Sequence, residues 1–174
     1  MWSMSRPTGE RPDARVTPNH AVRLRLAQTM QMDLDHARAL FTAPEAAWLG
    51  RLQPAGPGSE TTRRYETDLA LPMRDQPTRM VLKKAAYVDL GSPIELGDSL
   101  QVPVSWRSAN LAPLFPVFVG TLTVRPNALA LDGYYAPPGG ELGLILDRAL
   151  LNIAARGTAR WFLARVAETL RNGA

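Results

Sequence analysis

Hydrophobic and polar residues alternate with period two along much of the chain, and each alternating stretch predicts a half-buried strand. In residues 21–32, Val22, Leu24, Leu26, Met30 and Met32 alternate with Arg23, Arg25, Thr29 and Gln31, and Gln28 interrupts the apolar side. Residues 61–71 set Arg63, Tyr65, Thr67, Leu69 and Leu71 against Arg64, Glu66 and Asp68. Residues 79–90 point Met80, Leu82, Ala86, Val88 and Leu90 inward, and 100–107 do the same with Leu100, Val102, Val104 and Trp106. Further strands are predicted over 115–125 and 128–135, joined by a short hairpin turn at Pro126 and Asn127. Pro103 cannot donate to a ladder, so its strand is expected to be an edge or to carry a bulge.

The period then changes. Residues 141–172 carry Leu142, Ile145, Leu146, Ala149, Leu150, Ile153, Trp161, Ala164 and Ala167 at helical spacing, with charged residues on another face. At about 1.5 Å per residue this helix would be about 48 Å long, enough to lie across a whole sheet. Two short helices are expected after the first strand. Asp33 to Asp35 opens one that runs through Phe41. Thr42, Pro44 and Glu45 match a capping box for a second, over 43–52. Strands gathered first and a long helix last predict an α+β domain over 20–174, and the proline-rich residues 1–19 are expected to be a disordered tail.

Composition narrows the chemistry. There is no cysteine, and His20 and His36 are the only histidines, expected as solvated loop or helix-start residues. Thiolate chemistry is thus excluded, and neither a metal site nor a cofactor is expected. No apolar run reaches the roughly 20 residues of a membrane-spanning helix, and no secretory apolar segment is read at the start, so a soluble cytoplasmic protein is expected. The net charge of +4 comes from scattered arginines, with Lys83 and Lys84 the only lysines, and predicts a solvated basic surface rather than nucleic-acid binding. Glu66, Asp68, Asp89 and Asp132 read as outward or turn positions, so no catalytic group is assigned.

Three segments and the element order resemble the helix-grip fold of the START-like superfamily, which includes polyketide cyclases, plant pathogenesis-related proteins, lipid-transfer domains and coenzyme Q-binding proteins. The segments are Phe41 to Trp48 (FTAPEAAW), Val104 to Trp106, and Gly133 to Gly140 (GYYAPPGG), the last two similar to actinobacterial members. The resemblance covers about residues 21–172. It implies a curved antiparallel sheet wrapped around the last helix, with an apolar tunnel between them, and it carries no superfamily-wide catalytic motif. Strand parity then nominates Gln28, Met30, Tyr65, Lys84, Trp106 and Tyr135, with Leu146, Leu150 and Ile153 from the helix, as the lining of a ligand cavity. Binding of a small hydrophobic molecule such as a lipid, isoprenoid or polyketide is the leading expectation. A cyclase or aromatase and a ligand-free partner-binding module are the alternatives, and the oligomeric state stays open between monomer and homodimer.

Overall fold

The computed structural model describes residues 21–54, 61–72, 81–109, 117–136 and 148–172. In chain order the elements are β1 (Val22–Thr29), α1 (Leu34–Thr42), β2 (Arg51–Gln53), β3 (Thr62–Pro72), β4 (Val81–Gly91), β5 (Ile94–Leu96), β6 (Ser99–Ser108), β7 (Val117–Arg125), β8 (Ala128–Ala136) and α2 (Arg148–Asn172). The tail expected over 1–19 lies outside the described residues, as do Leu146 and the first turns of the long helix predicted from residue 141.

The eight strands form one antiparallel sheet in the order β1-β8-β7-β6-β4-β3-β2, with β5 paired to β6. β4 and β5 run in succession along the same side of β6: β4 pairs from Ala86↔Ser108 to Leu90↔Val104, and β5 takes over from Ile94↔Gln101 to Leu96↔Ser99. Pro103 falls in the break between the two ladders while pairing with Thr121 on the other side. The proline is therefore accommodated inside the sheet, and β6 is not an edge. Gly91 marks the same break, because a Cβ there would come within 2.9 Å of the Pro103 ring.

Helix α2 packs on β3 near one end of this order and on β8 and β1 at the other. Laid flat, β1 and β3 would be about 24 Å apart, at about 4.8 Å per strand, whereas a helix is about 10 Å across. The sheet reaches the helix with both ends only by curving around it. The concave face and α2 enclose the core, which includes Leu24, Tyr65, Val88, Trp106, Phe118, Leu122 and Phe162. The convex face holds cross-strand ion pairs: Arg64 makes a two-pronged bond to Asp89 (2.7 and 2.9 Å), and Arg23 and Arg25 both reach Asp132 at 3.1 Å.

Of the two short helices expected after β1, the first forms. Asp33 caps α1 by accepting from the Asp35 backbone N–H at 2.8 Å, and Arg63 binds the Phe41 and Ala43 carbonyls at the other end, where helix carbonyls lack partners. The second does not. Residues 46–49 close a single turn, with the Leu49 and Gly50 N–H groups donating to Ala46 O, and the chain then enters β2. Gly50 sits at φ 149°, a value that ends a helix, and β2 satisfies its backbone by pairing with β3.

The face that α2 turns inward also differs from the predicted one. Ala155, Thr158, Ala159, Phe162, Leu163, Val166, Ala167 and Leu170 are buried, whereas Ile153 is 45 % exposed and Ala164 is exposed. At about 100° per residue, Ile153 and Ala164 lie on the far side of the helix from the row that runs from Ala155 through Phe162 to Val166. The large side chains Phe162, Leu163, Val166 and Leu170 bury more apolar area, at about 1.5–3 kcal/mol each, and they set the helix's rotation. The side chain of Leu150 lies outside the described residues.

Candidate ligand-binding site

One row of residue pairs crosses the whole concave face. It runs Leu52–Tyr65–Val88–Trp106–Phe118–Tyr135–Val22, from β2 to β1. Three of the residues nominated from sequence, Tyr65, Trp106 and Tyr135, stand in this row, at 0 %, 2 % and 4 % exposure. They meet there because each occupies the same parity on its own strand and the register aligns those positions across the sheet.

Trp106 is the centre of the row. Its ring stacks on Phe118 at 4.1 Å between centroids and lies 5.5 Å from the ring of Phe162 on α2. Phe118 in turn lies over a glycine pair, Gly120 and Gly133, which face each other across β7 and β8. A Cβ on either glycine would sit 2.6 or 2.7 Å from Phe118 Cζ. Two adjacent positions without side chains thus let Phe118 lie down on the sheet and present its face to Trp106.

Two polar atoms at this sheet–helix contact have no hydrogen-bond partner: Nε1 of Trp106 and Oγ1 of Thr158, both buried. Thr158 stands one turn before Phe162 on the same helical face, so its Cβ is about 5–6 Å from that of Phe162. Other helix threonines behave differently. Thr42 Oγ1 donates to Arg38 O at 2.8 Å and Thr169 Oγ1 to Arg165 O at 3.0 Å, each satisfied by its own helix. The hydroxyl of Thr158 makes no such bond and is left among apolar neighbours. On either side of it the inward face of α2 carries small residues, Ala155 and Ala159, before the larger Phe162 and Val166.

The tyrosines bound this region. Tyr65 Oη reaches Pro44 O at 3.5 Å, and burial pushes its phenol pKa up against the opposing influence of Arg63. Burial likewise raises Tyr135, with Arg156 on α2 partly offsetting it. The guanidinium of Arg63 is engaged by the α1 carbonyls, and among the described residues the buried polar or charged side chains are Ser99 and Thr158.

Of the remaining nominated residues, Gln28 and Met30 are elsewhere. Gln28 pairs with Leu129 near the opposite end of β1 from Val22, about 20 Å along the strand from the Trp106 row. Gln28 is half-buried, and Met30, buried beyond it, donates its N–H to Asn127 O at 3.2 Å. Both belong to the far end of the core. Lys84 pairs with Leu69, and its side chain lies outside the described residues. Thr158, Phe118 and the glycine pair were missed by strand parity. Thr158 becomes visible once the spacing Ala155, Ala159, Phe162, Val166 is followed instead of the more apolar-looking row through Ile153.

A concavity of about 450 Å³ opens away from this row, between residues 47–51, β3 and α2, with Trp48, Arg51, Glu66, Asp68, Trp161 and Arg165 in its wall. It is open to solvent, and its wall mixes both signs of charge. His36, expected as a solvated residue, is half-buried on α1, with Nε2 unpartnered. Among the described residues no group of His, Asp or Glu is placed to hold a metal ion, and no helix is long and apolar enough to cross a membrane.

No family model matches the chain, and no curated protein matches it. A solved structure does: a conserved protein from Geobacillus kaustophilus superposes with a TM-score of 0.52 over 87 % of this chain and 96 % of its own, at 11 % identity. The likeness is one of fold, and it establishes that the sheet-and-helix architecture of this chain is shared nearly end to end by another protein.

Proposed function

We propose that the protein is a helix-grip domain of the START-like type that binds a small hydrophobic molecule between the concave face of the sheet and α2. Counting β5 as the continuation of β4, the strands from β2 to β8 form an unbroken antiparallel meander whose last member pairs with β1, and one helix packs inside the curve. That arrangement supports the helix-grip reading.

The observation that carries the binding reading is the pair of unpartnered polar atoms, Trp106 Nε1 and Thr158 Oγ1, at the sheet–helix contact. A buried hydrogen-bonding group left without a partner costs about 1–3 kcal/mol and calls for a compensating role, of which satisfying a bound molecule is one. Neither an indole nor a threonine hydroxyl is an acid–base group at neutral pH, which favours binding over cyclisation.

The test is uptake of an apolar fluorophore such as nile red, alongside native mass spectrometry of protein purified without detergent. Ala155→Trp places a bulky ring on the inward face of α2, one turn from Thr158. A folded A155W protein, verified by circular dichroism, should lose dye binding at least tenfold. Undiminished binding by the folded variant, with no small molecule carried by the native protein, would overturn the reading.

A further inference from the structure

We infer that the concavity beside β2 is a binding site in its own right, for a small zwitterion with an apolar or aromatic side chain, of which a free α-amino acid is the simplest. Trp48, Arg51, Glu66, Asp68, Trp161 and Arg165 line one space of about 450 Å³, a size ordinary for small-molecule sites. None of these residues belongs to the row built on Trp106, so the two sites stand or fall separately.

The register of β2 on β3 sets the charges. Arg51 stands directly across from Glu66, with Asp68 as its diagonal neighbour, positions at which opposite charges can stabilise a sheet by bonding each other. They do not. Glu66 accepts from the Gln53 amide at 2.8 Å, while Arg51 and Asp68, both exposed, have no partner among the described residues. Arg165 is already engaged: its Nε donates to Trp48 O at 3.1 Å, and its Nη1 lies 3.7 Å from Glu168 on its own helix. The concavity therefore offers one free cation and one free anion. A ligand of a single sign would satisfy one of them and meet like charge at the other, whereas a zwitterion satisfies both. Diagonal cross-strand positions are only about 7–8 Å apart, so the bridging molecule must carry its two charges close together, as an α-amino acid does. The indoles of Trp48 and Trp161, both half-buried, supply the apolar wall, and the Trp48 ring is held edge-on by Phe41 at 6.1 Å. Such faces take an apolar or aromatic side chain and also favour a nearby ammonium.

The experiment titrates the full chain, by calorimetry, with three probes that share one ring: L-phenylalanine carries both charges, 3-phenylpropanoate the carboxylate alone and 2-phenylethylamine the ammonium alone. L-phenylalanine should bind more tightly than either by about two- to fivefold, the worth of one partly screened ion pair. Arg51→Gln should weaken L-phenylalanine and phenylpropanoate by a similar factor and leave phenylethylamine unchanged. Asp68→Asn should weaken L-phenylalanine and phenylethylamine and leave phenylpropanoate unchanged. Both side chains are exposed, so both variants are expected to fold. Ala155→Trp, aimed at the sheet–helix contact, should leave L-phenylalanine binding as it is.

Binding of none of the three probes would overturn the inference, as would a single-charge probe that binds as tightly as L-phenylalanine. If R51Q and D68N weaken the same probes, or neither weakens any, the charges are not read by these two residues and the assignment fails. Loss of L-phenylalanine binding in folded A155W would place the probe between sheet and helix and overturn it as well. Each of these results leaves the uptake of an apolar dye, and the reading that rests on it, to be decided by its own test.

Discussion

Thr158 is the residue whose chemistry departs most from its surroundings. Its hydroxyl is buried and unpaired, whereas Thr42 and Thr169 return theirs to the helix backbone. Thr158→Val should therefore raise stability by about 1 kcal/mol, because a methyl of similar size replaces a desolvated hydroxyl. Thermal unfolding would then show a midpoint about 2–4 °C higher, and a fall would mean that the hydroxyl has a partner in the folded chain. The buried phenols give a second expectation. Tyr65 and Tyr135 are both raised above the ordinary phenol value of about 10. Below that value both folded and unfolded chains hold these protons. As pH climbs past it the unfolded chain releases them first, so stability falls between the ordinary and the raised pKa. A Tyr65→Phe, Tyr135→Phe double variant should flatten the loss of thermal midpoint above pH about 10. At this scale the sequence is readable where position within a strand settles orientation, as for Tyr65, Trp106 and Tyr135. It is unreadable for Ile153, because the phase of a long helix is set by whichever stripe gains most from the partner sheet.

Elements formed where local pattern and tertiary demand agreed. β3, β4, β6, β7, β8 and α1 fall within about two residues of their predicted spans, since alternation and a capping aspartate act over the same few residues that they organise, and β1 stops at Thr29, three residues before the alternation read through Met32. Residues 43–52 had a helix signal of equal strength, but the backbone of residues 51–53 pairs with β3 and Gly50 turns the chain into that ladder. β5 was hidden because Gly91, Pro93 and Gly97 read as loop punctuation, although their effect is to end one ladder along β6 and begin the next. The glycine pair of β7 and β8 is an element-level device of the same kind. Gly120→Ala or Gly133→Ala should push Phe118 off the sheet and cost about 1–3 kcal/mol of stability. The emission of Trp106 should shift with it, as the stacked ring moves. An unchanged spectrum and denaturation midpoint would show that Phe118 does not depend on the bare backbone beneath it.

For the whole molecule, the consequential choice is that a single helix is gripped by both ends of one sheet. The α+β architecture was legible from strands followed by a helix, and the curvature follows from the contacts of α2. The candidate site was legible only as a region. Locating it within the concave face required the register, because Trp106, Phe118 and Tyr135 come from three different strands. The closing of that sheet also imposes an order in time. Among the described strands β1 pairs with β8 alone along its eight residues, and Val22 meets Tyr135, more than a hundred positions later in the chain. At about 5–20 residues per second, a ribosome adds that intervening chain in roughly 6–22 s. Throughout that interval β1 is an amphipathic strand with no partner, its Leu24 and Leu26 exposed beside four consecutive alternations of charge and apolar bulk. Charged side chains on an unpaired strand disfavour edge-to-edge pairing, and Arg23 and Arg25 place two of them on this segment before Asp132, which reaches both in the finished sheet, has been made.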